Sequence, residues 1–158
     1  MKRHLLLTAA FVLLAFPSYA FWDSDVDKAK EFMQAGMYPQ AIELLEKRIN
    51  NEPTDAEAHF QLGLCHFHTG NYSEADNRFS SAVAFKPGCK ETIAQKYKKA
   101  GFDSLEKGQG QESTRLFETA IKYQPSLRKK IAQRCFERGK SLLESMVQNA
   151  DYEKSETA

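Results

Sequence analysis

The chain has 158 residues, enough for one domain with a core of its own, and its 22 Lys and Arg nearly balance 21 Asp and Glu. So even a balance argues against a nucleic-acid-binding domain, although two basic runs, Lys96-Lys98-Lys99 and Arg128-Lys129-Lys130, raise the question. Three cysteines, an odd number without any C-x-x-C spacing, exclude a disulfide-stapled scaffold.

The chain opens on Lys2 and Arg3, then a 12-residue apolar run from Leu5 to Phe16 broken only by Thr8, then Pro17. Ser18-Tyr19-Ala20 places small residues where a signal peptidase reads. The run is short for a bilayer span. The pattern predicts a signal peptide over residues 1–20, cleaved after Ala20, and a periplasmic or otherwise exported mature chain starting at Phe21. The alternative is an uncleaved N-terminal anchor. No cysteine follows the run, so a lipoprotein is not expected.

Beyond it the sequence is periodic. Pro53 to Pro87 is 34 residues and Pro87 to Pro125 is 38; Gly36, Gly70 and Gly108 keep the same intervals, as do Ala41, Ala75 and Ser113. The segment "IAQKYKKAGFDSL" from Ile93 recurs 38 residues later as "IAQRCFERGKSLL" from Ile131. Fixed periods of this size signal stacked repeats.

Residues 56–89 place His59, Leu62, Gly63 and His66 before Gly70, Tyr72, Ala75, Phe79, Ala82 and Pro87. That series resembles the tetratricopeptide repeat family, whose pattern is W-x2-L-G-x2-Y, then A-x3-F, then P. The unit at 22–55 is looser, with Ala29, Phe32, Gly36, Tyr38, Ala41, Leu45 and Pro53. The third, about 90–127, has Tyr97, Gly101, Phe117, Ala120 and Pro125, and its first helix carries about one extra turn. A partial fourth unit, 128–149, has Cys135, Gly139 and Leu142 but no second helix. The resemblance implies an all-α fold: three antiparallel helix pairs and a capping helix at about 127–148 in a short right-handed superhelix, with a disordered tail over 150–158. Pro39 should start a helix, Ser73 and Ser126 should cap two, and Pro53, Pro87 and Pro125 should end the second helices. Gly63, Gly101 and Gly139 each forgo about 1 kcal/mol of helix propensity, a cost expected where two helices approach closely.

The run Cys65-His66-Phe67-His68 looks like a metal site. On a helix, however, His59, Leu62, Gly63 and His66 share one face, the repeat's packing face, and the two histidines fill aromatic slots. Only Cys65 and His68 could share a metal, and zinc needs three or four ligands. Packing residues are therefore expected, with Cys65 buried, Cys89 the most exposed thiol and no bridge within the chain. There is no G-x-x-x-x-G-K, G-x-S-x-G or H-E-x-x-H, and "GQGQE" at Gly108–Glu112 reads as a turn between helices. No catalytic, cofactor or metal residues are expected.

Phe60, Leu64 and Phe67 form a second apolar stripe on the same helix, where a surface helix needs one. The resemblance implies a non-enzymatic adaptor whose groove, lined by the first helix of each repeat, holds a partner segment. Its partner-facing positions fall on Phe60, Leu64, Phe67, Lys98, Lys99, Phe102 and Leu105, with Lys30 and Met33 in the weaker first repeat. A carboxylate clamp of paired asparagines and lysines, known in one branch of the family, is not expected, because Gln61 and Leu64 stand where asparagines would. The expected function is a protein-binding scaffold of the bacterial cell envelope that takes an apolar or amphipathic segment of another protein. The alternative is a holdase-like maturation or assembly chaperone in the periplasm. No nucleic acid is expected as partner, nor membrane insertion once the signal is removed. The charge is split: 21–85 holds 5 basic and 11 acidic residues, 86–140 holds 14 and 6, and 141–158 holds 1 and 4. Salt-sensitive head-to-tail self-association is one expectation from that split.

Overall fold

The structure, a computed structural model, describes residues 24–156, and their side chains as far as residue 145. The predicted signal peptide, its cleavage after Ala20 and the expected mature start at Phe21 lie outside the described residues. Among the described residues seven α-helices follow in order: α1 (Asp25–Gln34), α2 (Tyr38–Asn51), α3 (Ala56–His68), α4 (Tyr72–Phe85), α5 (Lys90–Glu106), α6 (Gly110–Tyr123) and α7 (Leu127–Glu156). Among the described residues the fold is all-α, three helix pairs followed by one long helix, as the family resemblance implies.

Local chemistry sets the boundaries. Each pair turns on a glycine in the left-handed region, Gly36, Gly70 and Gly108, with φ of 74°, 79° and 75°. The "GQGQE" segment is therefore the turn the sequence suggests. Pro39 lies in the first turn of α2. The second helices end at Asn51, Phe85 and Tyr123, each just short of a proline. Ser24 caps α1, and the Asp55 carboxylate caps α3 by accepting from the backbone N–H groups of Glu57 and Ala58 at 3.0 Å. The expected cap at Ser73 is instead Asn71, whose side chain accepts from Glu74 N–H; the chain is already helical at Tyr72. α5 has 17 residues against 13 in α3, the extra turn that the longer period requires.

The apolar residues form two cores that meet across α3. One joins Val26, Ala29, Ala41 and Leu45 of α1 and α2 to Ala58, Leu62 and Cys65 of α3. The other joins Leu64 of α3 to Ala75 and Phe79 of α4 and to Ile93, Ala94, Tyr97 and Phe102 of α5, continuing through α6 to Leu127 and Ile131 of α7. This explains the two stripes. α3 is an interior helix with a repeat on either side, so both stripes find cover.

Two glycines show why the repeat needs them. A Cβ on Gly63 would stand 2.6 Å from the Phe79 ring, and one on Gly101 would stand 2.6 Å from the Phe117 ring. Each aromatic ring of the second helix lies on the bare backbone of the first. Gly139 was expected to behave likewise, but nothing lies within 4 Å of its would-be Cβ. The reason is topological: α7 occupies a first-helix position, and among the described residues no second helix follows it. α7 also runs on to Glu156, past the expected end near 148 and through most of the segment expected as a disordered tail. No Gly or Pro follows Gly139 to stop it.

His59 and His66 of α3 are packing groups. His59 is buried, and its Nε2–H donates to the Pro53 carbonyl at 2.9 Å. His66 keeps Nε2 buried and without a hydrogen-bond partner, and burial holds its pKa below the ordinary 6.5. His68 is shifted the same way, by burial first and then by the Lys96 charge. For a base whose folded pKa is depressed, the unfolded chain binds more protons. Stability from these rings is complete above the unfolded value of about 6.5 and is lost as pH falls through it. The urea midpoint should therefore drop between pH 7.5 and 5.5, and His66→Phe should flatten that drop. An equally steep drop in His66→Phe would remove His66 from the account.

Candidate functional site: a groove across the first helices

A groove crosses the faces of α1, α3 and α5. Its first part, a cleft of about 330 Å³, lies among Lys30, Met33 and Gln34 of α1, Tyr38, and Gln61 and His68 of α3. His68 is shared with the next cleft, about 560 Å³, whose walls include Phe67, Tyr72, Lys96, Lys99, Asp103 and Lys107. A third opening continues past Lys96 and Lys99 to Gly88, Glu91 and Gln95. The helix spacing makes this continuous: Gln61 and His68 are two turns apart on α3, and Lys96, Lys99, Asp103 and Lys107 follow one side of α5.

The walls are held by an ion pair and an aromatic stack between repeats and by polar contacts within α3 and α5. Lys30 Nζ lies 3.2 Å from Glu57 Oε1, which also accepts from Gln61 Nε2 at 2.8 Å. Burial works to raise the Glu57 carboxyl, but the hydrogen bonds from Gln61 and Lys30 outweigh it and hold it below the ordinary carboxylate value. Tyr38 and His68 stack with centroids 5.6 Å apart and planes 14° from parallel. The depressed pKa leaves that imidazole neutral at pH 7. Lys99 pairs with Asp103 at 3.1 Å. Lys96 and Lys107 have no ion-pair partner among the described residues, so this end of the groove carries net positive charge.

Of the residues expected to face a partner, Phe67 and Lys99 line the groove, as do Lys30 and Met33. Leu64 and Phe102 do not: they are 8% and 7% exposed, inside the second core. Phe60 packs on Phe79, ring centroids 5.7 Å apart, and Leu105 packs against the same core. Lys98 donates to Gln95 Oε1. The expected stripe is rotated about one residue from the observed groove, because the repeat built on α5 covers it. Sequence reasoning missed Tyr38, His68, Tyr72, Lys96 and Lys107 as groove residues. The available signal was polar spacing along one side, Gln61 and His68 at i and i+7 on α3 and Lys96, Lys99 and Asp103 at i, i+3 and i+7 on α5, which reads equally as solvated surface.

The four residues of the Cys65–His68 run face different ways. Cys65 is sealed in the first core, where burial pushes its thiol up to about 11. His66 lies near Glu74 and Arg78 of α4, Phe67 meets Tyr97 at 5.2 Å, and His68 opens on the groove. Gln61 is engaged by Glu57 and Leu64 is buried, so neither replaces a carboxylate-clamping asparagine.

Residues 32–97 match the family model of the tetratricopeptide repeat. That span is built of tetratricopeptide repeats. The matched span runs from α1 into α5 and includes the Gly63–Phe79 contact. Among solved structures, this repeat protein is similar to MamA, at 21% identity and a TM-score of 0.44, over 66% of this chain and 59% of that one. It is also similar to YrrB, described as a TPR protein with an unusual peptide-binding site, at 21% identity and a TM-score of 0.45, over 72% of this chain and 55% of that one. The chain therefore spans less than two thirds of either protein. No curated protein matches it.

Proposed function

We propose that this repeat protein is a non-enzymatic scaffold of the bacterial cell envelope, and that the groove across α1, α3 and α5 holds an acidic, amphipathic segment of another protein. The observation that carries this reading is the pairing of an aromatic wall, the stacked Tyr38 and His68 with Phe67 and Tyr72 edge-on beside them, with Lys96 and Lys107, which have no ion-pair partner among the described residues. Aromatic faces bury apolar side chains at low entropic cost, and the lysines select acidic neighbours and steer association. Export rests on the N-terminal sequence: a basic start, an apolar run and a small-residue site ending at Ala20.

The test is photocrosslinking from position 68 in the envelope fraction, with mass spectrometry of the adduct and of the N-terminus. One stable partner and a chain starting at Phe21 are expected. Many unfolded clients would favour the chaperone alternative, and an intact Met1 in the folded protein would remove the cleavage. Lys96→Glu with Lys107→Glu should weaken the partner about tenfold, on the order of 1 kcal/mol, and flatten its salt dependence. Lys107 is exposed, Lys96 is half-buried on the groove wall, and neither has an ion-pair partner among the described residues, so the melting temperature should hold. Unchanged affinity would move the binding surface elsewhere.

A further inference from the structure

α7 has two faces of identical spacing and opposite fate. Leu127, Ile131, Arg134 and Arg138 run down one side and dock it: the two apolar residues are 2% and 5% exposed. The Arg134 guanidinium lies 4.1 Å from the centre of the Phe102 ring, and Arg138 reaches Glu106 at 3.8 Å. On the other side, at the same 4-3-4 intervals, lie Ala132, Phe136, Gly139 and Leu143, all exposed. Phe136 is 70% exposed and Leu143 65%, with Leu142 at 53% flanking them. Apolar residues at intervals of four and three form the seam of a helix pair. A seam left in water on a 30-residue helix asks for a partner.

We propose that the partner is a second copy of this chain, whose α7 packs antiparallel on the first. Size is one argument. Along the seam, small and large side chains alternate: Ala132, Phe136, Gly139, Leu143. Reversing an identical helix sets Phe136 of each copy over Gly139 of the other, and Leu143 over Ala132. That places an aromatic ring on a glycine backbone, the contact this protein already makes twice, between Phe79 and Gly63 and between Phe117 and Gly101. The fourth repeat, which shows no second helix among the described residues, is then completed by the other copy.

Charge is the second argument. Residues 127–141 of the helix hold six Lys or Arg and one Glu, whereas 142–156 hold four Asp or Glu and one Lys. In this register residues 127–148 of the two helices overlap, so Glu144 of each copy comes opposite Ile131 of the other, among Arg128, Lys130 and Arg134, whereas parallel in-register pairing sets like charges together. The partner-binding groove lies on α1, α3 and α5, so the pairing leaves it open and presents two grooves per assembly.

The test is sedimentation equilibrium of the chain expressed with its own N-terminal segment, at micromolar concentration. The wild type should show twice the mass of one chain, weakening as salt rises. Phe136→Glu with Leu143→Glu should run as one chain with unchanged helicity and melting transition. In a background with the three native cysteines replaced by serine, Ala132→Cys with Leu143→Cys should crosslink into dimers on oxidation, and neither single variant should. A monomeric wild type overturns the proposal, as does a double glutamate variant that remains a dimer. A monomer whose α7 face is held by a different protein overturns it too. Dimers from either single cysteine variant overturn the antiparallel register.

Discussion

Tyr97→Ala lowers the stability of the domain by about 3–5 kcal/mol, the range for deleting a buried aromatic ring. The expectation follows from where the ring sits. Tyr97 is 1% exposed at the joint between the second and third repeats. Its ring meets Phe67 at 5.2 Å, Phe79 at 6.0 Å, and Tyr123 in a stacked pair at 6.2 Å. The two repeats are joined largely through this aromatic layer, and in a stacked-repeat protein the interface between neighbours carries the cooperativity. A domain of this size has roughly 5–15 kcal/mol in all, so the loss is a large fraction of it. Urea denaturation followed by circular dichroism should show a lower midpoint and a broader transition, as the two halves begin to unfold separately. Tyr97→Phe, which removes only the long hydroxyl contact to the Tyr72 carbonyl at 3.4 Å, should cost at most about 1 kcal/mol. A Tyr97→Ala midpoint within error of the wild type would mean that the repeats are held together elsewhere.

Gly63→Leu is the second large effect, an overpacking loss of about 1–3 kcal/mol despite the better helix propensity of leucine. The Phe79 ring, 0% exposed, has no room to retreat from a Cβ at 2.6 Å. The first repeat suggests the rescue. At the positions 34 residues earlier stand Ala29 and Leu45, both fully buried, so a larger residue on the first helix is matched by a smaller one on the second. Gly63→Ala combined with Phe79→Leu should therefore lose less stability than the two single changes added together. Simple additivity would show that the contact is incidental. Thermal melts of the four proteins in this cycle decide it.

The repeat architecture was readable from the sequence because its signals are local. Gly36, Gly70 and Gly108 turn the chain by backbone conformation, prolines just after α2, α4 and α6 end those helices, and Gly63 with Phe79 encodes one close contact at a fixed interval. None of these needs knowledge of what lies on the far side of a helix. The membership of the groove does need it. Phe60, Leu64 and Phe67 look the same in sequence whether α3 is an outer helix, leaving them for a partner, or an interior one. Stacking of α5 and α6 made α3 interior, drew Leu64 and Phe102 into the core, and left the next positions round, with His68 and Lys96, to line the open side. Gly139 makes the same point in reverse. Its sequence neighbourhood repeats that of Gly101, yet its surroundings differ entirely, because no second helix packs on it among the described residues. Spacing along one helix determines which residues share a face; only the neighbours supplied by the tertiary structure determine whether that face is core, groove or interface.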